Sequence, residues 1–274
     1  MSAMGRVVAV ANQKGGVAKT TTVASLGAAF AEQQMRVLLV DLDAQACLTF
    51  SLGVDPDELE QSVNEVLLGT AAARDVIMSV ADGVDLLPST IDLAGAEAAL
   101  LGRPGREFAL RTALADVVDD YQVVLLDCSP SLGVLTLAAL TAAQEVIIPL
   151  QCEMLSHRGV GQLLDTITDV KRLLNAGLLI RGILPTMFDG RTTHARAVLA
   201  DVAGRYDLPV LEPPIPRSVR FAEAPAVGRS ILVTAAGSTG AQAYREVAVV
   251  LAAAWARPRR APRGRRRAAD PPRS

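Results

Sequence analysis

Short, apolar, β-rich runs recur along this chain, and between them the apolar positions fall into a spacing of three and four. The runs lie at 6–11, 36–40, 84–88, 122–127, 144–149 and 180–186, with a shorter one at 209–211. Helical spacing marks 19–34, 105–118, 132–142, 157–175, 192–205 and 238–255. A strand that is apolar at every position, and not at every second one, is buried on both faces. Such strands alternating with helices predict an α/β fold, a doubly wound, mostly parallel sheet flanked by helices and joined by right-handed crossovers. Functional residues of such a sheet collect on loops at the carboxyl ends of its strands. Residues 53–82 break the alternation. They show no clear strand, carry Asp55, Asp57, Glu58 and Glu60, and read as a solvated, partly helical excursion.

The first of those loops follows Val7-Val8-Ala9-Val10-Ala11 and reads Asn12-Gln13-Lys14-Gly15-Gly16-Val17-Ala18-Lys19-Thr20-Thr21, after which Val23, Leu26 and Phe30 set a helical face. Strand, glycine-containing turn and helix is the context in which such a loop binds polyphosphate. Gly15 and Gly16 let the backbone approach the phosphates and aim N–H groups at them, and the helix N-terminus adds a favourable dipole. Lys19 supplies a charge, and the Thr20 hydroxyl can ligate Mg²⁺. Lys14 is a second lysine, at the front of the loop. Of 27 basic residues only three are lysines, at 14, 19 and 171, so a chain that otherwise chooses arginine keeps lysine twice in one loop. A planar guanidinium is a poor substitute for a compact ammonium among phosphates.

Two further loops carry carboxylates. After the second run comes Asp41-Leu42-Asp43-Ala44-Gln45, where two acids can sit near a γ-phosphate, its metal and an attacking water. The fourth run ends Leu125-Leu126-Asp127-Cys128-Ser129-Pro130, an apolar strand terminating in the acid that can hold a Mg²⁺ hydration shell opposite Thr20.

Lys14-Gly-Gly-x-x-Lys19-Thr-Thr resembles the deviant Walker A motif of the ParA/MinD family of P-loop ATPases, and the chain most resembles its chromosomal Soj/ParA branch. The resemblance runs over roughly residues 5–255 with its motifs in family order. It implies an ATPase that binds ATP and Mg²⁺ on the loop from Lys14 to Thr21, with Val17 and Ala18 in the backbone cradle. Lys14, Lys19 and Asp43 become the catalytic residues, Lys14 reaching the partner's ATP in an ATP-dependent homodimer and Asp43 orienting water. Thr20, Asp41 and Asp127 fall on the metal side. Met187 passes near adenine and Pro216 packs against it. Arg191, Arg217 and Arg220 belong to a face that binds DNA without sequence preference. Gln151-Cys152-Glu153, followed by Gly159 and Gly161, is similar to the family's approach to a dimer-facing helix. Three positions depart from the pattern: Ala18 for a common Gly, Ala44 for Pro and Ser129 for Pro.

Composition narrows the function classes. No apolar run approaches the ~20 residues of a membrane span, and the chain lacks the amphipathic membrane helix of the MinD branch, so no membrane partner is expected. Cys47, Cys128 and Cys152 show no C-x-x-C spacing, which speaks against zinc and an iron–sulfur carrier. His157 and His194 lie on different expected helices without ligand partners. The net charge of −2 hides a division: residues 257–274 hold eight Arg against one Asp, so residues 1–256 carry −9. The chain therefore reads as one ATPase domain over 1–256 and a disordered, basic Arg/Pro-rich tail over 257–274. The resemblance places it in the cytoplasm on nucleoid DNA, with a ParB-like partner that stimulates hydrolysis. A MinD-like or orphan ParA-type ATPase that positions another cargo is the alternative.

Overall fold

The computed structural model describes residues 5–153 and 156–256. In chain order the elements are β1 (Arg6–Val10), α1 (Lys19–Glu32), β2 (Val37–Leu42), α2 (Cys47–Ser51), α3 (Val63–Leu68), α4 (Ala73–Val76), β3 (Met78–Ser79), β4 (Asp85–Leu87) and α5 (Leu93–Leu101). Then follow α6 (Ala109–Ala113), β5 (Val123–Cys128), α7 (Val134–Ala142), β6 (Glu145–Gln151), α8 (Ser156–Leu173), β7 (Leu179–Thr186), α9 (Thr193–Tyr206), α10 (Arg220–Glu223), α11 (Ile231–Thr234) and α12 (Thr239–Ala256).

The seven strands lie in the order β3-β4-β2-β5-β1-β6-β7, all neighbours parallel except the antiparallel edge pair β3–β4. Every residue of β2 and β5 is buried, as uninterrupted apolar runs require. Cores form on both faces of the sheet. One packs α1 and α12 through Phe30, Leu26, Tyr244 and Val247; the other holds the side chains of α3, α5, α6, α7 and α8. The strand ends that matter chemically are brought level: Asp127 pairs in register with Val10 on one side and Asp41 on the other. At the opposite pole buried Glu145 takes the Arg181 guanidinium and the Trp255 Nε1–H, the latter at 2.9 Å, while Trp255 packs on Phe30 with centroids 5.2 Å apart.

Three expectations change. The span 105–118 is not one helix but a 3-10 turn at Arg106–Phe108, α6, and a second 3-10 turn at Val118–Asp120. Its apolar spacing survives, because Leu110, Leu114 and Val117 still bury one face while the backbone tightens around them. The run 209–211 makes only an isolated bridge, Val210 to Ile183; Pro209, Pro213 and Pro214 bring no N–H donors to a ladder. Residues 53–82 are not a solvated excursion. A capping box between Ser62 and Glu65 starts α3, and Val63, Val66, Leu67, Ala73 and Val76 enter the core before β3 closes the sheet edge. The tail expected over 257–274 lies outside the described residues. Among those described, no helix is long and apolar enough to cross a membrane.

One close approach yields a stability prediction. Gly228 has φ +65°, and a Cβ there would lie 2.6 Å from Gly53 Cα, backbone against backbone. Gly228→Ala is expected to destabilise the protein by about 2–4 kcal/mol, from left-handed strain plus the clash. Gly204→Ala, in α9 with open space at its Cβ, should be neutral or stabilising by up to about 1 kcal/mol. Thermal unfolding of the two variants checks both signs.

Candidate nucleotide-binding site

The loop from Asn12 to Ala18 joins β1 to α1 and turns on two left-handed residues, Gly16 at φ +71° and Ala18 at φ +65°. Ala18 thus accepts a conformation that glycine takes without strain. Its carbonyl accepts from Thr22 N–H at 2.9 Å to begin α1, while no side chain caps that helix and its first turn holds no acid. The leading N–H groups and the positive end of the helix are left for an anion. A Cβ built on Gly15 or Gly16 meets nothing, so the space above the loop is open.

The two lysines occupy contrasting surroundings. Lys19 is 8% exposed and its Nζ donates to the Lys14 carbonyl at 3.2 Å across the loop. Burial lowers its pKa, opposed by Asp127, Cys128 and Asp43. Lys14 is a third exposed in its side chain, with Nζ 2.6 Å from Glu153 Oε2.

Both expected acidic loops converge on the phosphate loop. Asp41 is fully buried and fully engaged: Oδ1 accepts Asp43 N–H at 3.2 Å, and Oδ2 accepts the Thr49 N–H and hydroxyl at 2.9 and 2.8 Å. Asp127 is 1% exposed, and neither of its oxygens has a hydrogen-bond partner. Burial, then Asp41, push the Asp127 pKa well up, with Thr20 and Lys19 opposing. Burial also raises Asp41, to about 6. Three donors hold Asp41, whereas burial beside Asp41 disfavours the charged form of Asp127. Asp43 is half-buried, its Oδ1 accepting Gln45 N–H at 3.0 Å and its carbonyl accepting from Ser89 Oγ at 2.9 Å.

On the far side of the loop lies a cavity of about 330 Å³, walled by Gly16, Ala18, Thr21, Met187, Pro216 and Phe221 among others. Met187 and Pro216, distant in sequence from the loop, both line this cavity beside it. The loop is tied to this wall by Thr186 Oγ1 donating to the Val17 carbonyl at 3.0 Å.

A family model described as an AAA domain matches residues 5–180. The sporulation initiation inhibitor protein Soj of Bacillus subtilis is 43% identical, covering 91% of this chain and 99% of its own length. The chromosome partitioning protein ParA of Myxococcus xanthus is 41% identical over 88% of this chain and 86% of its own. Among solved structures, one described as cobyrinic acid a,c-diamide synthase from Mycobacterium smegmatis, with bound ATP analog and magnesium, is 59% identical. It covers 92% of this chain and 96% of that one, with a TM-score of 0.83. The chain belongs to the ParA/Soj-type P-loop ATPases.

In this ParA-type ATPase the donor set fits Mg²⁺ with nucleotide. A hydroxyl at Thr20 and two unpartnered, buried oxygens on Asp127 suit a hard, hydrated cation, which keeps most of its waters. The three arginines expected on a DNA face have different surroundings. Arg217 lines the cavity beside the phosphate loop. Arg191, 90% exposed, is gripped by both oxygens of Asp189 at 2.9 Å, and Arg220 pairs with Glu223 at 2.8 Å. Sequence reasoning missed Thr49 and Ser89, which brace the Asp41–Asp43 turn, and Phe221 and Tyr244, which line the same cavity. A serine just past the run at 84–88 was the one available signal for Ser89; nothing in spacing pointed to Thr49.

Because the folded-state pKa of Asp127 lies above its ordinary 3.8, the stability it contributes is present below that value and is lost as pH rises through the folded one. The nucleotide-free protein should therefore lose stability as pH rises above about 4 toward the raised folded-state value. Asp127→Asn should flatten that dependence and raise the nucleotide-free Tm by about 3–8 °C, while forfeiting the further stabilisation by Mg·ATP. A lower Tm in the variant would contradict the assignment.

Proposed function

We propose that this ATPase binds Mg·ATP, pairs face to face through Lys14, holds DNA without sequence preference while paired, and releases it on hydrolysis. The observation that carries the reading is shared architecture. The segments that wall the cavity beside the phosphate loop, 186–187 and 215–222, continue directly into Arg191 and contain Arg220. Occupancy of the cavity therefore bears on the placement of both arginines.

The residues divide the work. Lys19, with the loop's N–H groups, neutralises the β- and γ-phosphates, and Thr20 and Asp127 hold the hydrated cation, which supplies charge neutralisation when bound. Asp43 keeps one oxygen for the turn and offers the other to a water. Asp41, with both oxygens engaged by Asp43 and Thr49, serves the metal side by fixing the turn. Pairing doubles the phosphate contacts available to arginines, and nonspecific affinity climbs steeply with contact number. A ParB-like partner speeds turnover in this scheme, and the protein works in the cytoplasm on nucleoid DNA.

The description of the M. smegmatis structure suggests a second reading, amide formation on a corrinoid acid. A cavity of about 330 Å³ beside the phosphate loop suits a nucleoside and is small for a macrocycle, which favours the positioning reading. ATP-dependent amidation of cobyrinic acid by the purified protein would reverse that preference.

Lys19→Ala is expected to abolish ATP binding, measured by titration with a fluorescent ATP analogue. Arg191→Glu and Arg220→Glu should each weaken binding to random duplex DNA about tenfold and reduce its salt dependence, with ATP-dependent pairing intact. Wild-type DNA affinity in both variants would remove the arginine face from the scheme. Cosedimentation with liposomes in place of DNA would move the protein to the MinD-like alternative.

A further inference from the structure

The front of the phosphate loop is fastened to the end of β6 and the start of α8. Asn12 donates its side-chain amide to the Pro149 carbonyl at 2.7 Å and accepts the Lys14 N–H at 3.0 Å. Gly159 packs against the same place, since an added Cβ would lie 3.4 Å from Asn12 Oδ1 and 3.8 Å from the Lys14 nitrogen. The Lys14 ammonium closes the series on Glu153 Oε2 at 2.6 Å. From behind, the Gln151 amide donates to the other oxygen, Glu153 Oε1, at 2.6 Å and aims the carboxylate at the lysine.

An ammonium held this way cannot also lie among the phosphates of a second protomer. We propose that Glu153 is a positioning residue that keeps Lys14 within its own protomer, so that pairing requires each lysine to exchange this carboxylate for the partner's triphosphate. This rests on the reading that Lys14 acts across the dimer. The pair is built for exchange and not for permanence. Its side chains are 33% and 53% exposed, and ion pairs so open to water are weak. A triphosphate outcompetes a single carboxylate for the ammonium, whereas a partner holding ADP lacks the terminal phosphoryl group. The latch lowers pairing by the same factor with either nucleotide. Its effect is to raise the dimer Kd of the ADP-bound and nucleotide-free forms above the working concentration while ATP still drives pairing.

The test is sedimentation equilibrium of Glu153→Gln in Mg·ATP and Mg·ADP. Two latches open per dimer, each worth about two- to fivefold, so the dimer Kd in ATP should tighten by roughly 4- to 25-fold, with pairing appearing in ADP. Monomer affinity for a fluorescent ATP analogue should be unchanged, which a damaged loop would not allow. Gln151→Ala, which removes one donor from the same carboxylate, should shift the dimer Kd in the same direction by less, and Glu153→Asp should restore part of the latch. Lys14→Ala tests the underlying reading separately. If it still pairs in ATP, the reading itself fails. If Lys14→Ala cannot pair but Glu153→Gln leaves pairing unchanged or weaker, the latch alone is overturned.

Discussion

Two carboxylates buried side by side constrain this molecule more than any other feature. Asp41 and Asp127 end adjacent strands in register, fully or almost fully out of water. The nearest internal cation is Lys19, itself buried and with its pKa lowered. Isolated charges in such a setting cost several kcal/mol each, so the fold manages them differently. Asp41 is given three donors and becomes a fixed part of the turn. Asp127 is left with two oxygens that have no hydrogen-bond partner, a donor set that suits a hydrated divalent cation. The rest of the pocket follows: a loop with open space above it, a helix with an uncapped N-terminus, and a hydroxyl at Thr20.

The two lysines of the loop divide by environment. Lys19 is immobilised against the Lys14 carbonyl inside the pocket, whereas Lys14 stands at the surface on an exchangeable ion pair. A buried ammonium with a depressed pKa suits phosphate in its own site. A half-exposed one, paired with a neighbour that can be replaced, suits an anion that arrives from outside. Similar logic runs through the arginines at 191 and 220. Each is paired with a nearby carboxylate at the surface, so the contact with a polyanion proposed above would be an exchange of partners and not the capture of a bare charge.

Much of this was legible from residues alone, because local chemistry was enough. Short apolar runs alternating with helical spacing read as strands buried on both faces, and that pointed to the parallel sheet. Glycines, lysines and threonines between a strand and a helix determined the phosphate loop, and acids ending the next runs determined the rest of the catalytic edge. Met187 and Pro216 came from family resemblance, and the structure brings them to one cavity with Gly16 and Ala18. Tertiary structure alone decided the remainder. Residues 53–82 look solvated by their acids, yet Val63, Val66 and Leu67 find a core because the sheet offers a face to cover. The span 105–118 keeps its apolar face but not its helix, since packing fixes which side chains are inside and not how the backbone winds between them. That Asp41 is satisfied while Asp127 is orphaned depends on Thr49 and Ser89, and that Lys14 meets Glu153 depends on residues 139 apart in the chain. Pairings of that range leave no periodic trace, because they are set by where strands end in space and not by which residues are neighbours along the chain.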